Sequence, residues 1–514
     1  MQEISVKKFW DNLDIRYKIT FFSAMIWGVV SHGMALFQKL SFHDDNVALF
    51  GVGATYNLGR WMLGLISKFE RILFGDSHYS LPVFNGFMAL LLIAFSACLI
   101  VNMLEIKNEF SCALIGGLMV CFPAVTSIFG YLFTLHYYML AMALGVLGVY
   151  CICKGNRWYC TLLGIVLMTC SLGIYQAFLP LMLSVMLLYF IHAVVTDQSG
   201  VSGIFTWIVK WVGSTIGALV LYFGFNKLFL NLTSSELSSY RGISSMGGTR
   251  PLDYLIRIFS AYREFFHPSR EGVYNMYPGN VRGVFYLILL TVMIMVVILL
   301  FRLWKTQKYK AIFCGLAFLI FPLCSNFIFV MTEEKDIHSL MVYSHLMCFI
   351  LFVWLIEHVK ICRATIRRAF MTVYLTAMVL LNVMYCRWDN KCYLKATIYQ
   401  QQAISYFTTL VTRIKSAENY KDEFPVVFVN RQEIQDQSLK EFPQFEDVEI
   451  YPYAGIWDYV NDYAWQEFMR IWCGYTPEII ESEVYEGLPQ IKEMTSYPDD
   501  GSIKVIDQMV VVKF

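Results

Sequence analysis

Two adjacent carboxylates stand in the run Ser41-Phe42-His43-Asp44-Asp45-Asn46, just past the first long apolar stretch of the chain. Carboxylates at a bilayer surface are costly when they sink toward lipid. A pair kept there can act as a base or bind a cation. Asp44 and Asp45 are therefore candidate catalytic residues, since a carboxylate can take the proton from a hydroxyl as its oxygen attacks a carbon centre. His43 beside them is a candidate substrate contact. The competing reading is a solvated loop or a helix N-terminus, where Asp is favoured.

Farther along the same segment comes Asn57-Leu58-Gly59-Arg60-Trp61, then Leu63, Gly64, Leu65 and Ile66. The spacing predicts an amphipathic helix at the membrane interface, with Arg60, Lys68 and Arg71 on its polar side. A guanidinium donates two parallel hydrogen bonds to phosphate oxygens, so Arg60 could clamp a lipid-linked phosphate. Asn57 would sit beside it. Trp61 could stack on a sugar or rest in the aromatic belt. Plain interfacial anchoring explains both Arg60 and Trp61 equally simply.

A third polar cluster, Ser171-Leu172-Gly173-Ile174-Tyr175-Gln176, interrupts a long apolar run. Irregular backbone at membrane depth must be buried in protein or line a wet cavity. Tyr175 and Gln176 could hydrogen-bond sugar hydroxyls, or serve as polar glue between helices. His136 has the same two readings. The segment 231–282 interleaves Arg241, Arg250, Arg257, Arg263 and Arg270 with tyrosines, which suits an anionic lipid phosphate and also suits head groups. Arg241 and Arg250 are the candidate donor contacts there. Glu333 and Glu334 form a second acidic pair, read as a solvated loop.

The elements that must position these residues are membrane helices. A crossing takes about 20 apolar residues. Such runs fall near 18–38, 81–104, 110–128, 132–152, 159–176, 178–196, 204–230, 283–301, 309–330, 339–357 and 369–386. Short cytoplasmic loops carry the Lys/Arg excess. With the N-terminus inside, the inner segments hold fifteen basic residues and the short outer loops only Lys335. That bias holds on both sides of 159–196 only if this stretch crosses twice; one broken helix would invert everything after it. About eleven spans then place the C-terminus outside, along with the long segments 39–80 and 231–282.

Composition agrees. The 514 residues are 57% hydrophobic and 15% charged, with a mean hydropathy of +0.52. Soluble domains run near 45–50% apolar and about 25% charged. An ordinary soluble enzyme, a disordered chain and a secreted disulfide scaffold are thereby excluded. Residues 387–514 hold 12 basic and 21 acidic residues, against 28 and 18 in residues 1–386. The expected fold is thus an α-helical polytopic membrane domain (1–386) followed by a small, acidic extracytoplasmic α/β domain (387–514). In that tail 392–417 reads as helix, and 426–429, 448–451 and 505–514 read as strands. Cys392 and Cys473 could pair if the tail meets an oxidising compartment. Three acids (Glu3, Asp11 and Asp14) and no apolar core in the first ~15 residues argue against a cleavable signal, so the first span should stay as an anchor. No dense basic stripe suggests nucleic acid. There is no glycine-rich phosphate cradle ending in Lys-Ser/Thr, no HExxH and no Gly-x-Ser-x-Gly, which weakens an ATP-driven pump, a zinc protease and a serine hydrolase. Mid-span charges are scarce, which disfavours an ion-coupled carrier.

Phe42-His43-Asp44-Asp45, Asn57-Leu58-Gly59-Arg60-Trp61 and Ser171 through Ile174-Tyr175-Gln176-Ala177 together resemble the bacterial type II glucosyltransferase family. The resemblance covers most of the membrane part. It implies a polytopic GT-C architecture in the bacterial cytoplasmic (inner) membrane. It also implies a polyprenyl-phosphate sugar donor, made by a separate glycosyltransferase and flipped outward by a flippase. Transfer of glucose or a similar hexose to O-antigen, capsule or teichoic acid would follow, with inversion and with Asp44 and Asp45 as the acidic pair. No resident cofactor is implied beyond an undecided divalent cation, Mg or Mn. Two alternatives stand beside this one: a lipid-linked oligosaccharide flippase or exporter, and a polysaccharide polymerase, which would use the arginines of 231–282.

Overall fold

The computed structural model describes residues 11–75, 77–238, 250–269, 276–360, 363–430, 442–446, 448, 464–483 and 485–514. The chain divides into two compact units. One comprises Met1–Lys39, Phe50–Lys391 and Glu449–Tyr451; the other comprises Leu40–Leu49, Cys392–Val448 and Pro452–Phe514. The helices used below are α1 (Ile15–Phe37), α2 (His43–Val47), α3 (Trp61–Phe74), α4 (Pro82–Met103), α5 (Glu109–Cys121), α6 (Pro123–Phe129), α7 (Leu135–Lys154), α8 (Trp158–Ile174), α9 (Leu179–Thr196), α10 (Val201–Leu232), α11 (Pro251–Phe266), α12 (Val281–Thr306), α13 (Lys308–Ser325), α14 (Met347–His358), α15 (Ala364–Lys415) and α16 (Trp465–Cys473).

In the first unit, local chemistry sets the helix ends. The Asp14 carboxylate accepts from the Arg16 amide at 2.9 Å and starts α1. Asn108 does the same for α5 through the Ser111 amide at 3.0 Å. Both satisfy amides that the helix itself leaves bare. Proline opens α4, α6 and α11, where its missing N–H costs nothing. Pro123 also forces Phe122 out of the helical region, and α5 and α6 meet at a 42° bend.

Among the described residues, eight helices are long and apolar enough to cross a membrane, or nine if the bent α5–α6 pair is one span. Trp158–Ile174 and Tyr343–His358 are apolar but shorter. Tyr175 is extended, so the run 158–196 breaks into α8 and a second helical segment beginning at Gln176. Small residues bring helices together: a Cβ on Gly164 would lie 2.6 Å from the Gly148 carbonyl, so α7 and α8 pack backbone to backbone. The outward surface is apolar. On α10 alone Phe205, Val209, Val220 and Phe223 are all more than half exposed, the pattern of a lipid-facing helix.

The second unit carries a mixed four-stranded sheet in the order β2-β1-β4-β3. Its strands are β1 (Val426–Val429), β2 (Ile479–Ile480), β3 (Ile503–Ile506) and β4 (Met509–Lys513). The central β1 runs parallel to β2 and β4, and β3 pairs antiparallel with β4. Val427, Val429 and Val511 pack with Ile491 and Met494 as its core. The run expected as one strand over 505–514 is part of a hairpin, turned by Asp507 and Gln508, both at positive φ. Two such residues make a two-residue turn whose twist matches the strands. Of the strand expected at 448–451, only Val448 lies among the described residues, outside any strand.

The span at 369–386 and the tail helix at 392–417 are one helix, α15, of 52 residues. Nothing between Ala364 and Lys415 is Gly or Pro, so nothing local stops it. The suggested Cys392–Cys473 disulfide is not formed; both thiols are free. Geometry explains this. Cys473 lies 3.8 Å from the Thr408 hydroxyl, which stands about 24 Å along α15 from Cys392 at 1.5 Å per residue. A disulfide needs Cα atoms within about 7 Å.

Candidate active site

The motif around Arg60 and the broken segment around Gln176 fold against each other within the first unit. Tyr56–Leu58 forms a single 3-10 turn, and Gly59 closes it at φ +70°. The amide nitrogen of Gln176 donates to the Leu58 carbonyl at 2.9 Å and to the Tyr222 hydroxyl at 2.9 Å. Tyr222 in turn donates to the Gly59 carbonyl at 3.3 Å. Gln176 therefore serves as the glue of the turn. The Asn57 carbonyl accepts from the Ser238 amide at 2.8 Å.

This brace aims Arg60. It is not on the polar side of an interfacial helix, as its spacing suggested, but caps α3 and turns inward. One terminal nitrogen donates to the Tyr138 hydroxyl at 2.9 Å. The guanidinium carbon lies 5.6 Å from the Tyr138 ring centre and 5.4 Å from that of Tyr175. The two tyrosine rings stack at 4.3 Å. Ring faces attract a cation by about 0.5–1 kcal/mol each, more when water is excluded. Tyr138 was not singled out by sequence; only its contact with Arg60 marks it.

Trp61 is a packing residue. It is 4% exposed, its indole lies parallel to Phe229 at 5.6 Å, and a Cβ on Gly173 would meet it at 2.6 Å. No open face is left for a sugar, which corrects that expectation. The rest of α3 does present an apolar face, with Phe69, Ile72, Leu73 and Phe74 exposed.

The acidic doublet belongs to the second unit. It sits on the five-residue helix α2, packed against α16, where the Trp472 indole donates to the Asn46 side-chain oxygen at 3.1 Å. The two carboxylates differ. Asp45 is fully buried and accepts from the Ser41 hydroxyl at 3.0 Å. Asp44 keeps 28% of its side chain exposed and meets His43 Nδ1 at 2.9 Å. Sequence reading treated the pair as equivalent and solvated; only Asp44 is open to solvent. Asn46, also unforeseen, buries its amide nitrogen without a hydrogen-bond partner.

The arginines of the second long loop are largely engaged. Arg263 binds Glu334 at 2.7 Å and Glu264 at 2.9 Å. Arg257 lies 3.7 Å from Glu333. Glu333 and Glu334 are thus partners of these arginines rather than a free solvated pair. Arg250 is exposed at the start of α11. Arg241 and Arg270 lie outside the described residues.

A further cluster escaped the sequence reading except for His136. Glu70 on α3 accepts from the Tyr137 hydroxyl, with His136 Nε2 at 3.5 Å and His78 Nδ1 at 3.8 Å. Burial raises the Glu70 carboxyl, but His136 and Tyr137 outweigh it and hold the group below its usual range. Burial likewise lowers His78 and keeps it neutral. Both shifts act in one direction. Glu70 stabilises the fold above its unfolded pKa of about 4.3, and this is lost as pH falls through the lower folded value. His78 gives up stability once pH drops below about 6.5, where the unfolded chain takes the proton first. The melting temperature should therefore fall steadily from pH 7 to pH 4. Glu70→Gln should cost about 1–2 kcal/mol at pH 7 and flatten the acid end of that profile. Thermal melts across the pH series check it.

Among the described residues, no three His, Cys, Asp or Glu side chains are grouped so as to hold a metal ion. No curated protein and no solved structure matches the chain. The family model described as glucosyl transferase GtrII matches residues 33–349. That stretch contains the acidic doublet, the Arg60 turn and the Gln176 brace. With more than half of its length matched, the chain belongs to the GtrII glucosyl transferase family.

Proposed function

We propose that this membrane glucosyltransferase takes glucose, or a similar hexose, from a polyprenyl-phosphate donor and passes it to a surface polysaccharide such as O-antigen, capsule or teichoic acid. The observation that carries the reading is the Arg60 seat. Two family-like motifs 118 positions apart are bonded into one brace, and it holds a guanidinium against two tyrosine faces. A cation on a fixed platform suits a lipid-borne phosphate. Arg250, exposed, is a second donor contact.

In the reaction, the acceptor hydroxyl attacks the anomeric carbon from the face opposite the phosphate. The new C–O bond forms as the bond to phosphate oxygen breaks, and polyprenyl monophosphate leaves with the electron pair. Configuration inverts. Asp44 takes the hydroxyl proton, and His43, bonded to the same carboxylate, orients it. Asp45, buried on Ser41, fixes the short helix that carries both. A divalent cation, Mg or Mn, is not required by this scheme.

The working side is extracytoplasmic in a bacterial inner membrane. The N-terminus is cytoplasmic, about eleven crossings follow, and the acidic C-terminal unit faces outward, as the Lys/Arg bias supports. A donor-synthesising glycosyltransferase and a flippase would precede this enzyme. The polymerase alternative loses ground because Arg257 and Arg263 already face Glu333 and Glu334.

Purified protein in nanodiscs should move labelled glucose from synthetic polyprenyl-phosphate-glucose onto the host's surface glycan. Release of free glucose alone, or no turnover, would refute transfer. Topology is checked separately. A cysteine at Val47, which is 41% exposed, should react with a membrane-impermeant maleimide in intact cells. Protection until the cells are opened would place the doublet in the cytosol and end the proposal.

A further inference from the structure

The helix α2, which carries Asp44, is little more than one turn long. Asn46 N–H donates to the Phe42 carbonyl at 3.0 Å and Ala48 N–H to the Asp44 carbonyl at 2.9 Å, and no side chain caps its start. Isolated helices shorter than about 12–15 residues are marginal in water. The orientation of α2 must therefore come from what it packs on. Within the second unit that is α16, through Asn46 and Trp472. We propose that Trp472 is a positioning residue for the Asp44 base, acting through Asn46. The inference rests on the glucosyltransferase reading and deepens it. It puts part of the machinery in the chain beyond residue 349, where the family match ends.

Asn46 is the unusual member of this contact. Its side chain is fully buried. The indole N–H of Trp472 can only donate, so Asn46 Oδ1 faces it, at 3.1 Å, and Nδ2 points elsewhere. Nδ2 is buried and has no hydrogen-bond partner. A buried donor left unpaired is costly, and an apolar pair of the same shape would be as stable or more so. Stability thus gives no reason for an asparagine here. Direction does. A hydrogen bond weakens steeply as its angle closes, whereas apolar contact is non-directional and lets two side chains slide. The Trp472 bond therefore fixes the roll and slide of α2, and Asp44 lies two positions from Asn46 on that helix.

The other end of the contact is firmly seated. Trp465 of α16 is 4% exposed and meets Phe428 of β1 edge-on at 4.8 Å and 79°. Phe468, fully buried, lies 5.4 Å from Phe407 of α15 and 6.3 Å from Trp472. Trp472 hence passes the geometry of the sheet and of the end of α15 to the base. A displacement of about 1 Å at a reacting group can cost a factor of about 100 in rate.

The test uses full-length protein in nanodiscs. The double variant Asn46→Leu/Trp472→Phe replaces both partners by apolar groups of similar shape. It should melt at or above the wild-type temperature, yet lower the kcat of glucosyl transfer about 10–100-fold. KM for polyprenyl-phosphate-glucose should hold, because the Arg60 seat belongs to the first unit. Trp472→Phe alone should show the same fall in kcat with a lower melting temperature, since Asn46 then buries both polar atoms unpaired. It carries the test if the double variant fails to fold. Val511→Ala opens a cavity in the sheet core, and should lower the melting temperature with kcat per folded molecule unchanged. A merely structural role predicts the reverse, with kcat following the melting temperature in all three. Wild-type kcat in the folded double variant or in Trp472→Phe overturns the proposal. Asp44→Asn in the same assay tells two failures apart. If it is inactive while Trp472→Phe is fully active, the positioning role alone falls. If it is itself fully active, the base assignment falls and takes the positioning role with it.

Discussion

Asp44→Asn should lower the kcat of glucosyl transfer by roughly 10²–10⁴-fold, the range that a positioned general base contributes. The melting temperature should stay close to wild type, because Asp44 is partly exposed and pairs with the neighbouring His43. Asp45→Asn should behave in the opposite way. That carboxylate is fully buried and accepts from Ser41, so its loss should lower stability by about 1–3 kcal/mol. Any fall in kcat should then follow the fraction folded. Initial rates with labelled donor, beside thermal melts of the same preparations, separate the two roles. A fully active Asp44→Asn enzyme would remove the base from the mechanism. An Asp45→Asn enzyme that melts normally but is inactive would reverse the assignment.

The second large effect is expected at Gly59. Its φ of +70° lies in the left-handed region, which costs an L-residue about 1–2 kcal/mol. Space is lacking as well. A Cβ there would stand 2.6 Å from the Tyr222 hydroxyl and 2.8 Å from the Gln176 amide nitrogen. Those two atoms make the hydrogen bonds that lock the turn to the broken segment. Gly59→Ala should therefore destabilise the first unit by about 3 kcal/mol. It should also raise the KM for donor, because Arg60 is the next residue. Gln176→Leu should reproduce the KM change with a smaller loss of stability, since the turn keeps its own backbone bonds. If Gly59→Ala melts like wild type, the turn is not the rigid base described here.

Much of the helical framework was legible in the residues. Each expected apolar run overlaps a helix or a group of shorter helices, because a continuous stretch of apolar side chains declares itself in the sequence; among the described residues, eight or nine of these are long and apolar enough to cross a membrane. The strand at 426–429 was legible for a similar reason, a short β-branched run. The hairpin at 503–513 was not, since Asp507-Gln508 lacks the Asn-Gly signal of such a turn. The end of the last apolar run was misread as the end of a helix. Arg387, Asp389 and Lys391 mark a change in side-chain polarity, with Asp389 itself buried against Thr126, whereas only Gly, Pro or a cap would have marked a change of backbone.

Apolar length, the Lys/Arg bias, the acidic tail and the short motifs were determined by the order of residues alone, because each depends on neighbours a few positions away. The tertiary structure alone decided how the polar residues are used. Arg60 turned out to face Tyr138, 78 positions away. Trp61 proved to be packing. Glu333 and Glu334 found Arg257 and Arg263, Asp45 was buried while Asp44 was not, and Leu40–Leu49 joined the second unit. The physical reason is that a polar side chain takes its role from whatever donors, acceptors and ring faces packing brings within about 3–6 Å, and local sequence does not encode which distant residues those will be.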